Sequence, residues 1–319
     1  MFNNSEESEA KKPPGIMSIL CLVALKKRLW LLPLLTFGWL FSSFWTSYAI
    51  AVSYNHTEAN FPYISHTAIE APERCVFGQM VNIGAVMLGM NVILRYLFIK
   101  KYLVMKGIPY NDKWYKLNLA GLVLGILSAF GLSMVANFQT VVQRGPHYFG
   151  AGLAFGLGTV YCWFQTALTY KVRYSFNNKK IIQIGIQALN STIMSMLLII
   201  FGTTKAVYKI QQSQGKGTKW DELRGVYLTS TITEWLLALS ILTFVLTYAH
   251  DFKNMRVDDP NIYFADYFER KHSSIKKVAN NNSPPDKQPD TADIKNMEEG
   301  NTVEDNDSKE KNGVPNGKS

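Results

Sequence analysis

Apolar residues collect in six long runs, at about 29–53, 76–99, 117–138, 147–170, 181–204 and 226–249. Short polar stretches separate them. The run 117–138 is the clearest. As a helix it would extend ~33 Å at the helical rise, enough for the ~30 Å hydrocarbon core of a bilayer. No charged residue lies between Leu117 and Phe138. A soluble helix of that length keeps a polar face, and this one has none. The pattern predicts an all-α fold: a polytopic membrane protein with six transmembrane helices within residues 29–250. From about Ser273 the chain turns to Asp, Asn, Lys and Gly with few apolar positions. Such a segment buries too little surface to offset its ordering entropy. Residues 273–319 are therefore predicted to form a disordered cytosolic C-terminal tail.

Averages hide this organisation. Mean hydropathy is −0.02 over 319 residues, because spans and tail cancel. The net charge is +9, yet the chain from Asp251 onward holds 11 Lys and Arg against 14 Asp and Glu. The basic excess belongs to the membrane domain. Beside membrane spans it fits anionic lipid headgroups better than nucleic acid. The positive-inside rule then orients the bundle. Lys11, Lys12, Lys26, Lys27 and Arg28 precede the first span, which makes 1–28 a cytosolic N-terminal extension. Lys100, Lys101, Lys106, Lys113 and Lys116 follow the second, and Lys171, Arg173, Lys179 and Lys180 the fourth. The first and third loops carry Arg74 and Arg144 alone. Both termini are predicted to be cytosolic. The stretch after span five disagrees, with Lys205, Lys209, Lys216, Lys219 and Arg224. In the juxtamembrane segment 251–272, Ile262 to Phe268 mixes aromatic and acidic residues. It fits a membrane-surface segment and a solvated linker equally well.

Covalent chemistry is sparse. Cys21, Cys75 and Cys162 offer no pair on one side of the membrane and no metal-ligand spacing. The N-terminus opens acidic (Glu6, Glu7, Glu9) and does not read as a cleaved signal peptide. Asn55-His56-Thr57 is a glycosylation sequon in the first luminal loop, close to the end of span one. Asn190-Ser191-Thr192 is a second, but it falls inside span five.

The candidate chemistry lies in the spans. Glu234 sits eight residues into span six, ~12 Å along the helix. A carboxylate at that depth is costly unless paired, protonated or wet. It reads either as a functional site or as a hydrogen-bonded joint between helices. Asn82, Asn137, Gln139 and His147 fall at the same luminal third and would complete a polar intramembrane cluster. Each alone reads as interhelical glue. Arg95, nearer the cytosolic end of span two, is expected to snorkel. Gly121 and Gly125 in span three, and Gly152 and Gly156 in span four, repeat at four residues and predict close helix packing. No catalytic motif is present: no G-x-S-x-G, no H-E-x-x-H and no phosphate loop of the right spacing. Gln214-Gly215-Lys216-Gly217-Thr218 only approximates the last. The chain reads as a non-enzyme without cofactor or metal. Its partners are the bilayer and anionic lipids at the cytosolic Lys/Arg clusters, not nucleic acid.

Particular residues carry a family resemblance. They are Lys116-Leu117-Asn118, Ala120 through Ser128, and Val135-Ala136-Asn137-Phe138-Gln139. The first luminal loop adds Phe61-Pro62-Tyr63-Ile64-Ser65, Ala71-Pro72-Glu73 and Phe77-Gly78. Span six adds Glu234-Trp235, and its exit adds Leu246-Thr247-Tyr248 with Asp251-Phe252. From about Trp39 to Arg256 the chain resembles the damage-regulated autophagy modulators of the Frag1/DRAM/Sfk1 group, closest to the second vertebrate-type member. The resemblance implies a regulatory lysosomal or endolysosomal membrane protein that promotes autophagy, and in some members cell death. It implies no settled enzymatic activity or ligand. A sister branch implies the alternative of a plasma-membrane adaptor for phosphoinositide 4-kinase, though the several first-loop cysteines expected of that branch are missing. A small-solute or proton transporter built on Glu234 is a third reading. The N-terminal extension and the tail depart from the family pattern. Tyr102-Leu103-Val104-Met105 fits a tyrosine sorting pattern but lies tight against span two.

Overall fold

The structure, a computed structural model, describes residues 28–172, 179–253 and 255. The expectations for the extension before Arg28, for most of the juxtamembrane segment and for the tail lie outside these residues. Within them the chain is helical and carries no strand. Helix α1 (Leu31–Ser53) is followed by a short 3-10 turn (Ile64–Ala68), α2 (Glu73–Met105) and α3 (Lys113–Asn137). Then α4 (Arg144–Ala151) continues through a π-helical stretch (Gly152–Leu157) into α5 (Gly158–Val172), making one rod. Helices α6 (Lys179–Ser213), α7 (Arg224–Leu246) and the short α8 (Tyr248–Phe252) complete it.

Local sequence explains the boundaries. Asp112 caps α3, its side chain accepting from the Trp114 N–H at 2.8 Å, which satisfies an orphan donor of the first turn. Pro33 stands in the first turn of α1, where a missing N–H costs nothing. Helix α6 stops at Gly215, whose φ of +70° suits a residue without Cβ. There the Gly215 N–H reaches the Gln212 carbonyl at 3.1 Å and the Lys216 N–H the Gln211 carbonyl at 3.1 Å, a Schellman ending.

Four helices are long and apolar enough to cross a membrane: Glu73–Met105, Lys113–Asn137, Ile181–Ser213 and Arg224–Phe252. The runs at 29–53 and 147–170 are helical as well, but differ in kind. Helix α1 is diluted by Trp39, Trp45, Tyr48 and several Ser and Thr, and the fourth rod is interrupted at Gly152. The rods pack in chain order and α7 closes back on α1, so each rod touches two neighbours. Large apolar side chains point outward, among them Val86, Phe130, Ile182, Leu189 and Ile199. Ser, Thr, Asn and Gln are buried inside, including Ser47, Asn91, Asn118, Gln187 and Ser230. Water would not tolerate that exterior, whereas lipid does, and the buried hydroxyls and amides join helices as polar glue.

Arg95 does not snorkel. It is fully buried and ion-paired with Asp251. Its Nε donates to Gln165 Oε1 at 3.2 Å and its second guanidinium nitrogen to Thr169 Oγ1 at 2.6 Å. Gln183 of α6 donates to the same Asp251 at 2.9 Å. The guanidinium also lies 5.0 Å from the centre of the Tyr248 ring. Snorkelling fails because Arg95 faces α5 and α8 rather than the lipid. One side chain thus ties α2, α5 and α8, and through Asp251 also α6.

The glycines divide. A Cβ at Gly125 would meet Val92 at 2.6 Å and one at Gly121 would meet Gln165 at 2.9 Å, so both permit close packing of α3. Gly152 and Gly156 do not pack: a Cβ at either meets nothing within 4 Å. The contact face of the fourth rod runs instead through Gly150, Ala154 and Gly158. Gly150 lies against Gly131, whose added Cβ would meet the Gly150 carbonyl oxygen at 2.5 Å. Ala154 accepts from Ser128 Oγ at 2.9 Å. Two residues along a helix is more than half a turn, so the 152/156 stripe faces away.

Arg95→Met would leave Asp251 buried without its cation, at a cost of roughly 3–5 kcal/mol. Thermal unfolding of detergent-purified protein should show the loss, and Arg95→Met combined with Asp251→Leu should recover most of it. Equal instability of the single and double variants would mean that the ion pair is not the constraint.

Candidate functional site

At the end of the bundle opposite Arg95, the chain after α1 folds back over the helices. The Glu234-Trp235 pair on α7 holds it there. The Ile64 N–H donates to Glu234 Oε2 at 2.7 Å, and Trp235 Nε1 donates to the Pro62 carbonyl at 2.9 Å. Tyr63 Oη donates to Ser230 Oγ at 2.9 Å, one turn earlier on α7. Burial raises the Tyr63 phenol above its ordinary range, which keeps it a donor. His56 Nδ1 sits 2.7 Å from Glu73 Oε1, and Lys219 pairs with Glu58, fastening the loop to α2 and to the stretch after α6. Glu234 therefore serves as the acceptor for a backbone N–H of a laid-down loop.

Beneath this cap lies a cavity of about 60 Å³, room for a few water molecules. Its walls are mostly apolar, with Leu40, Phe77 and Leu242 among them. Ser65, His147, Lys205 and Glu234 are its polar landmarks. His147 Nδ1 approaches the Phe138 carbonyl at 2.7 Å. A carbonyl only accepts, so that nitrogen carries the proton. Above the cavity, His66 stacks edge-on against Tyr63 at 5.0 Å. Burial first, then the charges of Lys205, Lys209 and Lys219, push its pKa down to about 3. His66 is a neutral ring in a basic neighbourhood.

The predicted cluster is thus two sites. Glu234 and His147 share the cavity. Asn82 and Asn137 instead form a reciprocal amide pair between α2 and α3, each Nδ2 donating to the other's Oδ1 at 3.0 Å. Ser133 Oγ adds a bond to Asn82 at 2.6 Å. Depth put these residues together in the sequence, but they stand on different faces of their helices. Gln139 contributes its backbone carbonyl to the turn that ends at Gln143, at 2.8 Å. Asn55 is exposed at the turn leaving α1, with φ +59°. The Gln214–Thr218 stretch is no phosphate cradle. The Thr218 N–H donates to the Asp221 carboxylate at 2.5 Å, and that bond holds the Asp221 carboxyl below its usual range. Tyr102 and Leu103 are buried, so the tyrosine sorting pattern is not presented as a linear peptide.

Two residues escaped the sequence reading. The apolar pattern ends span five at Thr204 and leaves Lys205 in the following loop, but α6 runs on to Ser213. Its Nζ lies 4.3 Å from the centre of the Tyr63 ring, 4.8 Å from Phe201 and 5.5 Å from Tyr148. The anomalous positive charge after span five was the available signal. Asp251 escaped because it follows the last span. The signal was Arg95 itself, which needed a carboxylate at its own depth.

Known proteins place the chain. The description "Frag1/DRAM/Sfk1/Cwh43P N-terminal domain" matches residues 28–255. The human protein "DNA damage-regulated autophagy modulator protein 2" is 36% identical over 227 residues, which are 68% of this chain and 81% of that protein. The human "DNA damage-regulated autophagy modulator protein 1" is 29% identical over 232 residues, 70% of this chain and 90% of its own length. The Xenopus laevis "Modulator of macroautophagy TMEM150B-A" is 40% identical over 146 residues, 45% of this chain and 59% of that protein. No solved structure matches. The chain belongs to the Frag1/DRAM/Sfk1/Cwh43P family.

Proposed function

We propose that this protein is a non-enzymatic, six-span regulator of autophagy, resident in the lysosomal or endolysosomal membrane with both termini in the cytosol. The observation that carries the reading is its similarity, over two thirds of the chain, to a protein named an autophagy modulator. Six spans follow from taking α1 and the interrupted fourth rod as membrane-crossing with the four longer helices. All six then alternate in direction around a closed ring. The lysines flanking α2 and α3 support cytosolic placement of the loop between them. The capped end, with Asn55, becomes luminal. In that orientation the basic clusters before span one and after spans two and four meet anionic cytosolic lipid.

The cap gives the regulator a mechanical element. Glu234 and Trp235 hold the first loop on span six, over the small cavity. A partner or ligand that grips the loop would reach the bundle through these two bonds. The transporter reading also centres on Glu234, and the bond of Glu234 to the Ile64 N–H favours the anchoring role.

Three measurements test these statements. Endogenously tagged protein should overlap lysosomal markers, and its loss should change autophagic flux. Restriction to the plasma membrane with unchanged flux would reject the regulator and favour the kinase-adaptor branch. Glycosidase treatment should shift the wild-type band and leave Asn55→Gln unshifted; an unglycosylated chain whose first loop is cleaved by protease from the cytosolic side would invert the topology. Glu234→Gln keeps an acceptor for the Ile64 N–H and should behave as wild type, whereas Glu234→Ala should lose roughly 1.5–3 kcal/mol of stability. A Glu234→Gln chain that is stable yet inactive, with wild-type protein showing solute flux in liposomes, would establish the transporter instead.

A further inference from the structure

The fourth rod and α6 do not close on each other along their whole length. Between them runs a groove of about 380 Å³. Its floor is Gly152, Gly156 and Gly202, and a Cβ at any of the three would meet nothing within 4 Å. Leu198 and Phe201 form one wall. The backbone takes its π-helical course along the same stretch, Gly152–Leu157, a distortion frequent at functional sites. The small-residue stripe predicted to pack helices is therefore left as an open trough. It faces outward, beside the exposed Met196, Ile199 and Ile200 of α6.

One end of the trough is cationic. Lys205 and Lys209 both line it. Among the described residues Lys205 makes no ion pair. Its ammonium is instead held among the rings of Tyr63, Phe201 and Tyr148. Depth agrees with a headgroup position. Helix α6 has 35 residues and so runs ~52 Å, some ~22 Å more than the hydrocarbon core. Shared between its ends, that excess is ~11 Å at each. Lys205 lies eight residues before Ser213, ~12 Å from the helix end, at the border of hydrocarbon and headgroups.

We propose that this groove is a binding site for an anionic phospholipid, its acyl chain lying in the glycine trough and its phosphate meeting Lys205 and Lys209. An acyl chain fits a shallow apolar trough that opens sideways to the bilayer, and the Lys205 and Lys209 ammonium groups at its end supply the complementary charge. A second copy of this chain fits less well. Symmetric dimers bury the same patch from both partners, which would bring Lys205 and Lys209 against their own counterparts at low dielectric. The inference requires membrane insertion and is independent of any role in autophagy.

Native mass spectrometry of the full chain, equilibrated with equimolar phosphatidylglycerol and phosphatidylcholine, tests it. Wild-type protein should retain one phosphatidylglycerol in preference to phosphatidylcholine. Replacing both lysines with glutamine should reduce that preference about fivefold per lysine and roughly 25-fold together. A Cβ at Gly156 meets nothing within 4 Å, so Gly156→Leu should project into the trough and keep both lysines, losing the bound lipid while thermal stability in detergent stays at the wild-type value. Free glycerol 3-phosphate, which has the charge but no chain, should not displace the lipid. Displacement by glycerol 3-phosphate, or full lipid retention by Gly156→Leu, would overturn the proposal. So would a wild-type dimer, without retained lipid, that Gly156→Leu converts to monomer.

Discussion

A guanidinium buried in a membrane bundle forces order on whatever surrounds it. Arg95 cannot shed its charge, and hydrocarbon offers it no partner. The groups that satisfy it must come from other helices and arrive together. They do: Asp251 from α8, Gln165 and Thr169 from α5, and Gln183 of α6 through the same carboxylate. Below them Tyr248 reaches Tyr161 with its hydroxyl at 3.0 Å. The last helix is thereby drawn against the second and the fifth. The break between α7 and α8 at Thr247 allows Asp251 to turn inward, and Thr247 itself accepts from Gln187 at 2.7 Å.

The opposite end is organised differently. There the helices are covered by loop, and the fastening is a set of separate bonds rather than one network. Glu234 takes the Ile64 N–H and Trp235 the Pro62 carbonyl. Losing the Trp235 bond strands no charge, whereas losing the Ile64 bond would leave the buried Glu234 carboxyl without that donor. Local stability varies across a structure in this way, and moving parts are drawn from the weaker regions. A rigid polar core at one end and a stitched cap over a cavity at the other give the molecule a direction.

Between these ends, the fourth rod shows how a small change of register alters what a surface is for. Gly150, Ala154 and Gly158 bring it against α3, with Ser128 and Gly131 as the receiving positions. Gly152 and Gly156 share the same spacing and composition, offset by two residues, and face a groove. Spacing identifies a stripe of small residues. Which of two stripes meets a neighbour depends on the rotation of the rod, and the π turn helps to set it.

The sequence by itself determined the helices and their surroundings. Runs of apolar residues too long for a soluble core require lipid, the spacing of the runs sets the order of the rods, and the wording around Asn137-Phe138-Gln139 and Glu234-Trp235 pointed to the family. These are local properties, written in consecutive residues. The pairings were decided by the tertiary structure. Depth along a helix can be counted, and by that count Asn82, Asn137, Gln139, His147 and Glu234 fall at one level. The face each residue occupies depends on helix rotation and on which rods are neighbours. Asn82 therefore meets Asn137, while Glu234 meets a backbone N–H from a loop 170 residues away in the chain. Arg95 and Asp251 are 156 residues apart. Their meeting follows from the closure of the ring, which no single segment encodes.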